Sequence, residues 1–124
     1  MQPDRPMNGF PGRPTHIKAP HGARLLGLTW PGGSQDALPH EILRGYCPCA
    51  GCQGHSGTIT FQPSASLDIR ELEPVGRYAL SFRWGDGHDS GIYTFEYLWR
   101  LGRLLEEHGK DALIALGTLP PATP

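Results

Sequence analysis

Three cysteines close together are the strongest constraint on how this chain folds. Cys47, Cys49 and Cys52 are the only cysteines in its 124 residues, and His55 follows three residues after the last of them. The C-x-C-x-x-C spacing and the glycines around it allow several thiolates to face one centre. Zn²⁺ takes four tetrahedral ligands, commonly cysteine and histidine. The stretch therefore predicts a metal site, with zinc favoured over an iron–sulfur cluster, which commonly uses a fourth cysteine.

Composition excludes several classes of partner. The formal net charge is −1 and the pI is about 6.6, so no overall positive field attracts nucleic acid or an anionic membrane. The apolar runs are too short to span a bilayer, and the first residues lack the apolar region of a signal peptide. We expect a cytoplasmic protein without nucleic-acid or membrane partners. In that compartment, clustered thiols more often bind metal than form disulfides.

The distribution of proline, glycine and apolar residues predicts one small domain between two tails. Four prolines indicate a disordered tail over residues 1–14, the domain covers 15–109, and a short helical turn with a flexible tail covers 110–124. The expected class is α+β, a small two-layer sandwich with an antiparallel-rich sheet, a C-terminal helix and a metal-stapled loop. Strands are predicted around Ile17 and over residues 24–30, 58–61, 68–72 and 77–84, and a short helix over 39–45.

The longest helix is predicted over residues 94–108. Thr94 can cap its first turn, and a glycine follows its last turn. Four leucines form an apolar stripe, and we expect Arg100 and Arg103 on the opposite, solvated face. Trp99 is expected at the edge of the stripe, where an exposed indole would mark a surface for a protein partner around Tyr97 and Trp99.

The two halves of the chain repeat one pattern. Residues 28–44 and 82–100 each contain a strand that ends at a tryptophan, Trp30 or Trp84. A glycine-containing turn, an apolar strand and a helix follow in both, and the second half has one extra residue between its tryptophan and its helix. If the halves pair, the turn after Trp84 approaches the cysteine stretch.

The fourth metal ligand has two candidates. His55 needs only a glycine turn to join the cysteines, and neighbouring glycines permit one. His88 lies in the turn after Trp84, within reach of the thiolates if the halves pair. The sequence pattern alone leaves both open.

Three motifs carry a family resemblance. The run Trp84-Gly-Asp-Gly-His-Asp-Ser-Gly-Ile-Tyr93, the preceding Leu72-Glu-Pro-Val-Gly-Arg-Tyr78, and Cys47-Pro-Cys-Ala-Gly-Cys52 together resemble the DUF971 proteins. That family is also called the gamma-butyrobetaine hydroxylase-like N-terminal domain family, and the resemblance covers about residues 15–104. It implies an α+β domain with a structural zinc ion. By position, the implied ligands are Cys47, Cys49, Cys52 and His88.

The resemblance also implies a role without catalysis. Hydroxylases that carry this domain hold iron and 2-oxoglutarate in a separate β-helix domain that has no counterpart in this sequence, so we expect no oxygenase activity. Similar domains are attached to Mrp-type ATPases that carry iron–sulfur clusters. We therefore expect a zinc-binding interaction or accessory module whose partner is an Mrp-type ATPase or another iron–sulfur or oxygenase system. The alternative is an iron–sulfur cluster carrier or assembly protein that uses the same cysteines.

Overall fold

The computed structural model describes residues 9–19, 24–48, 59–63, 68–85 and 91–119. Within these ranges the strands form two antiparallel sheets of three strands each, in the orders β1-β2-β3 and β4-β5-β6. The predicted α+β class is confirmed, but two small sheets replace the expected single sheet. None of the helices described is long and apolar enough to cross a membrane. The elements are β1 His16–Lys18, β2 Leu25–Thr29, β3 Gln35–Pro39, α1 His40–Gly45, β4 Ile69–Val75, β5 Ala79–Trp84, β6 Gly91–Thr94, α2 Phe95–His108 and α3 Lys110–Leu116.

Both halves have the same order of elements, as the sequence repeat predicts. Each is a three-stranded antiparallel meander followed by a helix, β1-β2-β3-α1 in the first half and β4-β5-β6-α2 in the second. In the first half, Leu26 of β2 lies opposite Leu38 of β3. In the second, Leu80 of β5 lies opposite Tyr93 of β6. All four side chains are buried. Side chains alternate between the two faces of a strand, so in each half the face that carries these residues packs against the core.

Two strand predictions are wrong in extent. Instead of a strand over 58–61, the described residues contribute one isolated bridge, between Thr60 and Thr118. The strand predicted over 68–72 continues to Val75 and includes Pro74, where the sequence suggested a turn. Proline is tolerated there because β4 is an edge strand, the position in a sheet to which strand prolines are largely confined.

One hydrophobic core joins the two halves. Trp30 packs edge-to-face on Trp99 of α2, with ring centroids 5.2 Å apart. Trp84 packs in the same manner on His40 of α1, at 5.7 Å. Each half thus places its tryptophan against the helix of the other half. The buried members of the core are Leu26, Leu28, Trp30, Leu38, Ile42, Leu43, Tyr46, Cys47, Leu80, Phe82, Trp84, Tyr93, Phe95, Leu98, Trp99, Leu101, Leu104, Leu113 and Leu119.

Both predicted tails contain packed residues where the structure describes them. In the N-terminal segment, Pro14 is buried and the Phe10 ring lies edge-on to Trp30 at 6.0 Å. At the other end, Leu119 is buried and its N–H donates to the carbonyl of Ile59 at 2.9 Å. The apolar residues within these proline-rich segments extend the core.

Helix α2 begins and ends where the sequence predicts. The Thr94 hydroxyl accepts a hydrogen bond from the backbone N–H of Tyr97 at 3.0 Å, which satisfies one of the free donors of the first turn. Gly109 ends the helix with a φ of 84°, a conformation that favours glycine. The leucine stripe is confirmed, since Leu98, Leu101 and Leu104 are buried.

The polar face of α2 differs from the prediction. The side chain of Arg103 is only 2% exposed and forms an ion pair with Asp36 of β3, which is 7% exposed. Trp30 Nε1 donates to the same carboxylate at 2.8 Å, and the Arg103 guanidinium lies 4.1 Å from the centre of the Trp99 ring. The expected solvated arginine and exposed indole are therefore both buried. Residues 99 and 103 are one helical turn apart, so α2 brings them together beneath β3.

Candidate metal centre

One of the predicted ligands lies within the described residues. Cys47 follows α1 directly and is fully buried, at 0% exposure. Cys49, Cys52, His55 and His88 lie outside the described ranges. Among the described residues, no group of three or more histidine, cysteine, aspartate or glutamate side chains is arranged to hold a metal ion. Of the predicted ligands, the structure therefore shows the surroundings of the Cys47 sulfur.

The Cys47 sulfur lies against the backbone of the second half. A Cβ placed on Gly91, the first residue of β6, would lie 3.0 Å from Cys47 Sγ and 2.9 Å from the Tyr93 ring. No side chain fits there, so the glycine allows this close approach. Gly91 follows His88 by three residues, and three peptide units span at most about 11 Å between Cα atoms. Cys47, at the start of the cysteine stretch, therefore contacts Gly91, which lies three residues after the predicted ligand His88. The position of His88 itself stays a prediction.

Two tyrosines of the second half hold the end of α1. Tyr93 Oη donates to the Leu43 carbonyl at 2.5 Å, and Tyr97 Oη donates to the Tyr46 carbonyl at 2.6 Å. The last carbonyls of a helix have no partner within the helix, so these phenols satisfy groups that would otherwise be buried unpaired. The bonds fix the backbone at Leu43 and at Tyr46, the residue immediately before Cys47.

A third tyrosine fixes the same segment to the C-terminal part of the chain. Tyr46 Oη donates to the Leu113 carbonyl of α3 at 2.7 Å, and its ring lies edge-on to Phe61 at 5.2 Å. The backbone N–H of Gln62 donates to the Gly45 carbonyl at 2.7 Å. The chain therefore leaves at Cys47 and returns beside the same helix end, so both ends of the cysteine stretch are held near one another.

Burial keeps these phenols protonated. Burial raises the pKa of Tyr93 well above its usual value, and negative charge on Cys47 raises it further. Burial likewise raises the pKa of Tyr97, with a smaller contribution from Cys47, and the pKa of Tyr46. A protonated phenol can donate a hydrogen bond, whereas a phenolate cannot. The three hydroxyls therefore remain donors at neutral pH, and the Tyr93 hydroxyl is also within hydrogen-bonding reach of the Cys47 sulfur.

Sequence reasoning placed none of these tyrosines at the metal site, and it assigned no role to Gly91. The signal for Tyr93 was in the repeat, because it occupies the position of Leu38 in the first half, and a buried tyrosine usually needs a hydrogen-bond partner for its hydroxyl. Tyr97 follows it by four residues and Tyr46 directly precedes Cys47. None of these positions reveals which carbonyl accepts the bond.

Comparisons with known proteins agree with the motifs. The model of the family described as gamma-butyrobetaine hydroxylase-like, N-terminal, matches residues 17–99. A crystal structure of a DUF971-family protein of unknown function from Acidithiobacillus ferrooxidans is 34% identical, with a TM-score of 0.56, over 73% of this chain and 92% of that chain. No curated protein matches the chain.

Two NMR solution structures are also similar. One is 31% identical over 85% of this chain and 84% of its own. The other is 30% identical over 94% of this chain and 87% of its own. Both have a TM-score of 0.62, and the aligned region covers most of each chain.

Proposed function

The chain belongs to the gamma-butyrobetaine hydroxylase-like N-terminal, or DUF971, family, and we propose that it is a non-catalytic metal-binding domain whose structural zinc ion joins its two halves. The proposed ligands are Cys47, Cys49, Cys52 and His88, with His55 as the alternative fourth ligand. Three thiolates and one imidazole form a donor set that suits tetrahedral zinc.

The contact between Cys47 and Gly91 is the observation that carries this proposal. It brings the start of the cysteine stretch against Gly91, which follows His88 by three residues in the sequence. A metal bound to Cys47 is therefore within reach of a ligand from either half. Because both ends of the cysteine stretch are already held near α1, less loop-closure entropy is lost when the site forms.

The tyrosines support the site without contributing to the proposed ligand set. Tyr97 holds the carbonyl that precedes Cys47, and Tyr93 holds the carbonyl of Leu43 and lies near the sulfur. Outer groups of this kind orient the ligands and tune the affinity for metal. When bound, zinc supplies a four-ligand link between the halves, and a site closed by four protein ligands keeps no position for a substrate water.

The domain's proposed role is that of an accessory or interaction module in the cytoplasm. Its proposed partner is an Mrp-type ATPase or another iron–sulfur or oxygenase system, suggested by the family resemblance. The exposed indole expected at Trp99 is not found, because Trp99 is 3% exposed, and the Tyr97 hydroxyl donates to the Tyr46 carbonyl.

Metal content and visible absorbance, measured on protein purified without oxygen, test the proposal. We expect colourless protein with one zinc ion per chain. His88→Ala should lower the affinity for zinc at least about tenfold, whereas His55→Ala should leave it unchanged. His16→Ala is the matched control, because His16 is an exposed residue of β1.

The other outcomes are equally specific. Loss of zinc in His55→Ala with retention in His88→Ala would assign His55 as the fourth ligand. It would also overturn the proposal that zinc joins the two halves. Iron with sulfide and a brown colour would replace zinc with the iron–sulfur alternative on the same thiols. Protein without metal in all four forms would overturn the proposal.

A further inference from the structure

A concave region separate from the candidate metal centre lies beside the start of α2. Its volume is about 300 Å³, at the small end of the range of roughly 300–1,000 Å³ that is typical of ligand pockets. Three separate segments form its walls: the N-terminal segment, the turn between β4 and β5, and the first residues of α2. The lining residues are Phe10, Arg13, Arg77, Tyr78, Thr94, Phe95 and Glu96.

The aromatic wall of this cavity is firmly held. Phe95 is buried, and its backbone N–H donates to the Tyr78 carbonyl at 2.8 Å. Phe10 packs on Trp30 and is half-buried. Tyr78 is 57% exposed, the largest exposed fraction among the large hydrophobic residues that the structure describes. The cavity therefore offers aromatic surface in place before any ligand arrives.

The cavity also has an excess of positive charge. Arg13 and Arg77 line it from two different segments, and within the described ranges no carboxylate forms an ion pair with either guanidinium. Glu96 is the one acidic residue in the lining. Two positive charges and one negative charge favour a monoanion, because Glu96 opposes the second charge of a dianion. The positive end of the α2 dipole adds to this preference.

We propose that this cavity binds a small monocarboxylate with an aromatic or branched apolar body. The carboxylate accepts hydrogen bonds from the guanidinium groups of Arg13 and Arg77. The N–H groups of a guanidinium lie in one plane, and two of them match the two oxygens of a carboxylate. The apolar body lies on Phe10 and Tyr78. The ligand is either a free organic acid or the C-terminal residue of a polypeptide, since both present a carboxylate next to an apolar group. This site shares no residue with the proposed metal centre, so either proposal can fail alone.

Titration of the full ¹⁵N-labelled chain with phenylacetate tests the proposal. We expect saturable shifts of the backbone amide signals of Tyr78, Phe95 and Glu96. Phenylacetamide has the same shape without the charge and should not bind measurably. Arg77→Gln and Arg13→Gln should each weaken phenylacetate binding at least about tenfold, because each removes a charge-assisted hydrogen bond. Arg70→Gln is the matched control, an exposed arginine outside this cavity.

A pair of short peptides ending in phenylalanine separates the two sources of carboxylate. One peptide has a free C-terminus and the other an amidated C-terminus. Tighter binding of the free-terminus peptide than of phenylacetate assigns a polypeptide ligand, and the reverse assigns a free acid. Equal shifts with phenylacetate and phenylacetamide, equal weakening in Arg70→Gln and Arg77→Gln, or no saturable shift with either carboxylate source would each overturn the proposal.

Discussion

The two β-β-β-α halves have the same topology but support their helices in different ways. Helix α2 has 14 residues, a Thr94 cap and a glycine at its end. Helix α1 has six residues, and Pro39 at its cap position makes no side-chain cap bond. Isolated helices shorter than about 12–15 residues are marginal in water. The first helix therefore depends on bonds from Tyr93 and Tyr97 of the second half, and the proposed metal stretch begins at this dependent end.

Each half bonds to the helix of the other half through its third strand, but the chemistry differs. In the first half, Asp36 of β3 pairs with Arg103 of α2. In the second half, Tyr93 of β6 donates to Leu43 of α1. One contact is a buried pair of charges and the other a neutral hydrogen bond, so their removal should have unequal effects. Two halves with the same topology are therefore connected by different kinds of bond.

The largest effect should come from breaking the buried ion pair. Asp36→Ala removes the buried carboxylate that pairs with Arg103 and leaves the exposed Glu106, 3.8 Å away, as a weaker partner, so we expect the free energy of unfolding to fall by roughly 3–5 kcal/mol. Urea denaturation measures the change. Glu71→Ala is the matched control, since its pair with Arg83 is about half exposed and should contribute no more than about 1 kcal/mol. Similar losses for the two variants would contradict the buried role of Asp36.

The helix glycines provide the next comparison. A Cβ at Gly102 would lie 2.5 Å from Asp36 Oδ2, and one at Gly45 would lie 2.0 Å from the Phe61 ring. We expect either alanine substitution to lower the free energy of unfolding by roughly 1–3 kcal/mol through overpacking, although alanine normally favours helix.

A second substitution checks the cause at Gly45. Phe61→Leu removes the ring that the new Cβ meets, so Gly45→Ala should cost less in its presence, as measured by a double-mutant cycle in urea. Additive effects of Gly45→Ala and Phe61→Leu would show that the close contact is not responsible.

Removing a phenol hydroxyl should have a smaller effect. Tyr93→Phe leaves the buried Leu43 carbonyl without its donor, and we expect a loss of roughly 1–2 kcal/mol in the free energy of unfolding. Tyr78→Phe is the control, because that side chain is 57% exposed and should change stability little. The free energy of unfolding should be measured with and without zinc. A larger loss for Tyr93→Phe in the metal-bound form would indicate that Tyr93 also acts on the Cys47 sulfur. A stable Tyr93→Phe would argue against dependence of α1 on the second half.

The smallest expected effect is at the cap of α2. Thr94→Ala removes the acceptor for the Tyr97 N–H and should lower the free energy of unfolding by about 1 kcal/mol. Thr118→Ala, at an exposed position, provides the comparison in thermal unfolding. A Thr94→Ala protein as stable as the Thr118→Ala protein would show that the tertiary contacts of α2 make its cap dispensable.

Local features of the fold could be predicted from the sequence. The Thr94 cap and the glycine after His108 depend on neighbours along the chain, and the structure confirms both. The repeat of the two halves also followed from the positions of Trp30 and Trp84. In the candidate site, the concentration of cysteines identified the stretch, but it gave no sign of how Cys47 is surrounded.

The burial of Arg103 shows why the rest could not be predicted. An arginine on the polar side of a helix is usually solvated, and only a carboxylate placed opposite it makes burial favourable. Gly102 was the available signal, because a glycine inside a helix can mark a close approach. It could not identify Asp36 as the group that approaches.

Residue types at short spacing were enough to predict most of the strands and helices, their order, the repeat, the family and the candidate ligands. The tertiary structure decided which polar groups are buried and what they bind. Asp36 and Arg103 are 67 residues apart, and Tyr93 and Leu43 are 50 apart. Burial of such groups is favourable only when a partner distant in sequence satisfies them, so their roles depend on the packing of both halves into one core.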